Sequence, residues 1–384
     1  MRFEFATATR IILGAGTINE VPALARSFGR RVLLVMGSEQ DFVTRAIDQL
    51  RDHDLEVDTF TVDGEPKITT ALDGLHRARS IRAEVIIGLG GGSALDTGKA
   101  IAALLTNSGD PLDYLEVIGR GLALKNQAAP YIAIPTTAGT GAEVTRNAVL
   151  ASPDHKVKVS LRSPLMLPRL AVIDPELTHS LPPSITASTG LDALTQVIEP
   201  YTCNAPNPMT DAICHEGMMR AARSLQKAYH HGDDVAARGD MSIAALFGGL
   251  ALANAKLGAV HGFAGPIGGL FPAPHGAICA RLLPFVIAAN LKALRERAAD
   301  SPVVQRYAEV AQILTGSRAA QAEDAIGWLT DLCADLHVPA LSAYGIRAAD
   351  FPVIIEQAQK ASSMQGNPLK LNAQELHDIL QQAV

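Results

Sequence analysis

Two histidines, His261 and His275, stand in an apolar, glycine-rich stretch, AVHGFAGPIGGLFPAPHGAICARL, that carries no charge before Arg281. A histidine buried in such a run needs a partner, because an unpaired buried polar group costs roughly 1–3 kcal/mol. Two histidines converging from separate turns are most simply served by one shared partner, a divalent metal ion. The plainer alternative is a pair of core histidines, each satisfied by its own hydrogen bonds. A third candidate ligand, Asp192, lies in GLDALTQVIEPY, where Leu191, Leu194, Val197 and Ile198 make a helical apolar stripe. Asp192 and Gln196 are four residues apart and share another face. A carboxylate in the first turn of a helix is also favoured by the helix dipole, with no metal involved. Taken together, Asp192, His261 and His275 supply one oxygen and two nitrogen donors. Such a set, with positions left open for water or an alcohol, suits catalytic Fe(II) or Zn(II). Gln196 is a poor ligand that could offer only its amide oxygen. Cys279, close to His275, reads as a core thiol, with oxidation sensitivity as the alternative.

A second constellation is built from glycines and hydroxyls. Gly90-Gly91-Gly92-Ser93 joins an expected strand to an expected helix. Glycines there let the backbone approach a phosphate, and the helix N-terminus offers free N–H groups. The usual dinucleotide fingerprint is not met, since counting from Gly88 it needs glycine where Ser93 stands. Alone, the run is equally a tight strand–helix turn. The loop from Thr136 to Thr145 follows the next strand and adds hydroxyls at Thr136, Thr137 and Thr140. Two such loops after successive strands make a ligand crevice. A carboxylate at the end of the first strand of such a site favours NAD over NADP. This chain has Gly37 and then Ser38 there, with Glu39 beyond, so NAD and NADP both stay open.

The elements that must position these groups follow from the hydrophobic pattern. Short β-like pieces at Phe3–Phe5 and Arg10–Leu13 precede a helix from about Ile18. Apolar runs at 31–36, 56–62, 85–89, 131–135 and 170–173 read as strands. Helical spacing covers 42–50, 68–82 and 94–105. Such alternation implies βαβ units and a Rossmann-like parallel sheet covered on both faces. Beyond Asp174 the periodicity is helical at 191–201, 210–228, 235–255, 284–296, 303–314, 320–336, 348–361 and 373–381. The expected domains are 1–180, α/β and nucleotide-binding, and 181–384, all-α and carrying the metal and substrate. No internal repeat or low-complexity tract interrupts them.

Composition narrows the function class. The chain has 384 residues, 48% of them apolar, and a formal net charge of -6. The length allows two or three domains, and the composition suits a compact enzyme rather than a disordered chain. The mild acidity and the lack of a basic stripe with aromatics argue against nucleic acid as partner. Cys203, Cys214, Cys279 and Cys333 show no C-x-x-C spacing and read as free thiols in a reducing compartment. The N-terminus lacks the apolar core of a signal peptide, so the expected location is cytoplasmic. No uncharged apolar run reaches the roughly 18 residues of a membrane span.

Together the motifs resemble the iron-containing (group III) alcohol dehydrogenase family along nearly the whole chain. The likeness runs through IILGAG, GGGSALDTGK, PTTAGTGAEVT, the 158–174 segment, GLDALTQVIEPY, the His261–His275 stretch and GNPLKLNAQEL. The resemblance implies a nucleotide-binding lobe, a helical lobe, a metal and nicotinamide in the cleft between them, and a homodimer or larger assembly. It carries the pyrophosphate-loop role to Gly91, Gly92 and Ser93, and the second cofactor loop to Thr136, Thr137 and Thr140. It places Lys158 near the nicotinamide ribose. Two departures stand out. Gln196 replaces a histidine ligand of the iron enzymes, and Gly265 replaces a further histidine often found one turn after His261. The glycerol dehydrogenases of this fold hold zinc with one aspartate and two histidines, a set intact here. The architecture is also shared by dehydroquinate-type synthases, whose phosphate-binding signature this chain lacks. The expected activity is metal-assisted hydride transfer between an alcohol and a nicotinamide, with an aldehyde or ketone as product. The alternatives are a metal-independent maleylacetate-like or oxo-acid reductase and a non-catalytic nucleotide-binding relic. Phe263, Pro266, Ile267 and Phe271 suggest an apolar substrate pocket. Arg146 reads either as a surface or 2′-phosphate contact or as a clamp for an anionic substrate.

Overall fold

The computed structural model describes residues 2–37 and 40–384. Ser38 and Glu39, on which the coenzyme argument partly turned, therefore lie outside the described residues. The first half alternates β1 (Ile11–Leu13), α1 (Val21–Arg26), β2 (Arg31–Met36), α2 (Asp41–Asp52), β3 (Glu56–Thr61), α3 (Ile68–Ser80), β4 (Val85–Gly90), α4 (Gly92–Thr106), α5 (Pro111–Tyr114) and β5 (Tyr131–Pro135). It closes with β6 (Asn147–Ser152), β7 (Val157–Arg162) and β8 (Leu170–Ile173). Six of these strands form one sheet in the order β1-β8-β5-β4-β2-β3, and every pairing in it is parallel.

The run RVLLVM of β2 shows why the sheet is buried on both faces. Val32, Leu34 and Met36 point to one side with α1 and α2, while Leu33 and Val35 point to the other with α3 and α4. Alternation between two covered faces leaves no solvent face, so the strand is continuously apolar. The chain runs from β2 outward to β3, then returns across β2 to β4. The strand order thus reverses between β2 and β4, and the carboxyl ends at such a switch point open a ligand crevice. Gly37 and the Gly90–Gly92 turn sit at those two ends.

The second half is helical: α6 (Pro183–Thr202), α7 (Pro208–His230), α8 (Val235–Asn254), α9 (Ala259–Leu270), α10 (His275–Arg297), α11 (Pro302–Thr315), α12 (Asp324–Asp335), α13 (Phe351–Lys360) and α14 (Ala373–Ala383). These helices share one apolar core. Two of them, α8 and α10, are long and apolar enough to cross a membrane on length and composition alone, but 61% and 72% of their apolar windows are buried inside the protein. Two compact units result. Ala6–Thr137 with Gly141–His179 make the α/β unit, and residues 2–5, Ala138–Thr140 and Ser180–Val384 make the helical unit.

Several local expectations are corrected. Phe3–Phe5 forms no strand; the piece pairs with no neighbour and leaves Phe3 42% exposed. Strands β6 and β7 form an antiparallel hairpin that the periodicity did not announce. Helix α6 starts at Pro183, not near Leu191, so Asp192 lies in mid-helix and the dipole explanation of its carboxylate falls away. Helix α10 starts at His275 and carries Pro284 inside it, where a start had been expected. His261 and His275 stand on helices α9 and α10 rather than on turns.

Candidate active site

The site in the helical unit is made by three helices. On α6, Asp192, Gln196 and Glu199 fall at helical spacing along one face. On α9, His261 lies in the first turn. On α10, His275 is the first helical residue, and Cys279 follows one turn later on the same face. Their approach depends on a missing side chain. A Cβ on Gly276 would lie 2.3 Å from the Ser188 carbonyl oxygen and 3.4 Å from Asp192 Cβ. Only glycine lets the start of α10 press against α6 at the level of Asp192.

Asp192 Oδ1 lies 3.5 Å from His261 Nε2 and 3.7 Å from His275 Nε2. Cys279 Sγ lies 3.7 Å from His275 Nε2. One ligand atom from each of Asp192, His261, His275 and Cys279 falls within 4.8 Å of all the others. Asp192, His261 and Cys279 are buried, and the His275 side chain is 35% exposed.

The site also contains a residue that the sequence reading did not single out. Glu199 Oε2 accepts a hydrogen bond from His261 Nδ1 at 2.6 Å, and its Oε1 accepts one from the Val260 N–H at 2.7 Å. With Nδ1 donating to Glu199, a neutral His261 turns the Nε2 lone pair toward the Asp192 carboxylate. A proton or a metal ion must lie between them. Burial alone would push the His261 pKa down, but Cys279, Asp192 and Glu199 around the ring hold it well above the ordinary imidazole value. Burial likewise pushes the Asp192 carboxyl up, and the neighbouring His275 and His261 outweigh it and hold the group below the usual carboxylate value. Burial raises the Cys279 thiol to about 12. Asp192 Oδ1, His261 Nε2 and Gln196 Oε1 are all buried without a hydrogen-bond partner. Orphaned buried donors and acceptors are rare in folded proteins, and here two of them belong to the proposed donor set. The residues present fit a divalent cation.

Gln196 has one end of its amide engaged and the other free of hydrogen bonds. Its Nε2 donates to the Gly139 carbonyl at 3.3 Å, tying the short Ala138–Thr140 segment to α6. Phe263 and Ile267 are fully buried in the helical core, so the expected apolar pocket is not lined by them. A Cβ on Gly265 would meet nothing within 4 Å, so the space a larger side chain would fill is open.

The α/β unit gathers the nucleotide candidates at the switch point. A Cβ on Gly90 would lie 2.8 Å from Ala94 Cβ and 3.2 Å from the Gly37 nitrogen, so the ends of β2 and β4 meet here with no room for a side chain. Gly91 caps α4 without any side-chain cap, and Gly92 and Ser93 open the helix. The first-turn N–H groups are thereby left to solvent or a ligand. Thr136 N–H donates to the Gly90 carbonyl at 3.0 Å, and Thr137 lies beside Gly91. Thr136 and Thr137 belong to the α/β unit and Thr140 to the helical unit. Lys158, on β7, has a 7% exposed side chain whose Nζ pairs with Glu65 Oε2 at 2.9 Å. Arg146 is half-buried at the foot of β6.

Lys99, also missed from sequence, anchors the second loop. Its fully buried Nζ donates to the Ala142 carbonyl at 2.8 Å, the Asn147 carbonyl at 2.7 Å and Thr145 Oγ1 at 2.9 Å, with Asp96 at 3.5 Å. Burial lowers the Lys99 pKa, and Asp96 opposes that shift. A lysine within the otherwise apolar GKAIAALL was the available signal.

Comparison with known proteins gives the same picture. Residues 8–175 match the family described as iron-containing alcohol dehydrogenase, and residues 186–384 match the C-terminal domain of the Fe-containing alcohol dehydrogenase family. The chain is 38% identical over 363 residues to the 1,3-propanediol dehydrogenase of Klebsiella pneumoniae, covering 92% of each chain. It is 30% identical to the NAD-dependent methanol dehydrogenase of Bacillus methanolicus, covering 97% of each. The crystal structure of a 1,3-propanediol oxidoreductase superposes with a TM-score of 0.92 at 34% identity, over the full length of both chains. The chain belongs to the iron-containing alcohol dehydrogenase family and is an alcohol oxidoreductase.

Proposed function

We propose that the protein catalyses NAD(P)-dependent, metal-assisted interconversion of a small primary or secondary alcohol and its aldehyde or ketone. The observation that carries this reading is the meeting of Asp192, His261 and His275, with Asp192 Oδ1 and His261 Nε2 buried without a hydrogen-bond partner. These three side chains would hold the cation, and Gly37, Gly91, Gly92, Ser93, Thr136, Thr137, Thr140 and Lys158 would hold the dinucleotide. When bound, a divalent cation supplies Lewis acidity toward an alcohol oxygen and a nicotinamide supplies the hydride acceptor. The rest is work done by the chain. Glu199 fixes the His261 tautomer so that Nε2 faces Asp192. The uncapped start of α4 presents N–H groups to a pyrophosphate. Lys99 holds the second loop in shape from below. Names of relatives, 1,3-propanediol and methanol dehydrogenases among them, support a short alcohol as substrate.

The test is elemental analysis of the purified protein, paired with NAD+- and NADP+-linked oxidation of short alcohols before and after chelation. About one metal per chain, with activity lost on chelation and restored by Fe(II) or Zn(II), is the expected result. Undiminished turnover by metal-free protein would overturn the Lewis-acid reading in favour of a metal-independent reductase.

A further inference from the structure

Cys279 has an environment unlike that of the other three cysteines. Cys214 sits in the apolar core, Cys333 donates to the Ala280 carbonyl, and Cys203 accepts from the Ala205 N–H. Cys279 Sγ instead closes a group with Asp192, His261 and His275, all four ligand atoms lying within 4.8 Å of one another. It reaches that group because α10 places it four residues after His275. Gln196 donates its amide nitrogen to the Gly139 carbonyl, and its Oε1 is buried without a hydrogen-bond partner.

We propose that Cys279 is a fourth metal ligand in this chain, joining Asp192, His261 and His275 in a donor set that favours Zn(II) over Fe(II) and to which an alcohol oxygen would add as a fifth ligand. The inference rests on the metal reading above and deepens it. Spacing is the first argument. With bonds of about 2.0–2.1 Å to N and O and about 2.3 Å to S, the edges of a tetrahedral zinc site are about 3.3–3.7 Å. Three of the six separations, at 3.5, 3.7 and 3.7 Å, lie at that scale, and all six are within 4.8 Å. Charge is the second. A divalent cation on Asp192 and two neutral imidazoles leaves one positive charge within the ligand set, with the Glu199 carboxylate behind His261 as a further buried anion. A thiolate cancels that charge inside the ligand set itself. In forming the bond, the Cys279 S–H breaks, sulfur keeps the electron pair and donates it to the cation, and the proton leaves to solvent. Ligand softness is the third: thiolate shifts a nitrogen–oxygen set toward zinc.

The test loads the chelator-stripped, full-length protein with Co(II) and, separately, with Zn(II). Expected for the unaltered protein are a thiolate-to-cobalt charge-transfer band in the near ultraviolet and a zinc–sulfur scattering shell at about 2.3 Å in X-ray absorption. Cys279→Ser and Cys279→Ala should lose both signals. Their Zn(II) affinity should fall by at least the roughly 10–100-fold seen when outer partners of ligands are removed. The measurements on unaltered protein need no variant to fold. Metal bound at one equivalent without either sulfur signal would overturn the Cys279 assignment and leave the metal reading standing. Failure of the unaltered protein to bind either metal would overturn both.

Discussion

Glu199 is the residue whose contribution is most easily underestimated. It is not itself a member of the ligand set, yet both carboxylate oxygens are spent on orienting α9, one on His261 Nδ1 and one on the Val260 N–H. Glu199→Gln keeps the shape but must turn an NH2 toward one of those two donors. The expected outcome is a fall in Zn(II) affinity of about 10–100-fold with the fold retained. Chelator competition measures the first and circular dichroism the second; unchanged affinity would show that His261 is oriented without Glu199. Asp192, His261 and His275 were legible in the sequence because each is a polar interruption of an apolar run. Glu199 was not, because a glutamate near a helix end reads as solvent-facing until the neighbouring helix is known. Cys279 was assigned to the core because a thiol packs like a small hydrophobe, and the sequence does not say which face of α10 meets α6.

At the scale of elements, the site depends on how closely helices and loops can approach. Gly276→Ala would force the first turn of α10 away from the Ser188 carbonyl, 2.3 Å from the new carbon. Overpacking of this kind costs about 1–3 kcal/mol. A lower urea midpoint accompanied by weaker metal binding is expected; a drop in stability with metal affinity intact would separate packing from ligand placement. In the α/β unit, Lys99→Met would take the ammonium away from the Ala142 and Asn147 carbonyls and from Thr145 Oγ1, and leave Asp96 without its cation. Breaking a buried pair this way costs about 3–5 kcal/mol. Because Lys99 shapes the loop after β5, KM for the dinucleotide should rise more than kcat falls. Strands with two covered faces, such as β2 and β4, were read from their continuous apolar runs. Helix α9 was not, because four glycines and Pro266 within AVHGFAGPIGGL oppose every local helix signal and only packing against neighbouring helices holds it. The β6–β7 hairpin was missed because its turn carries no glycine: Lys156 itself adopts a left-handed φ of 52°.

The whole molecule folds as two units with separate cores, and this sets where its pH dependence arises. Glu143 is buried in the α/β unit, and burial raises its pKa from the usual 4.5 to about 7, with Lys99 pulling the other way. Between those two values the folded chain keeps a proton that the unfolded chain has released. Stability of the α/β unit should therefore fall as pH rises from about 4.5 to about 7, then level off, the opposite of a salt-bridged carboxylate. The full shift corresponds to between about 3 and 4 kcal/mol at 1.36 kcal/mol per unit. Glu143→Gln removes the titration while keeping the shape. Urea unfolding at pH 5 and pH 8, followed by a probe in each unit, should show the variant's α/β transition less sensitive to pH than that of the unaltered protein. The helical transition should respond equally in both proteins, because the groups that titrate there are untouched. If instead the α/β transition keeps its full pH dependence in Glu143→Gln, the carboxyl is ionised in the folded state at neutral pH. Lys99 and the loop amides would then stabilise it as an anion, and the loop after β5 would carry a negative charge beside the nucleotide-binding turn.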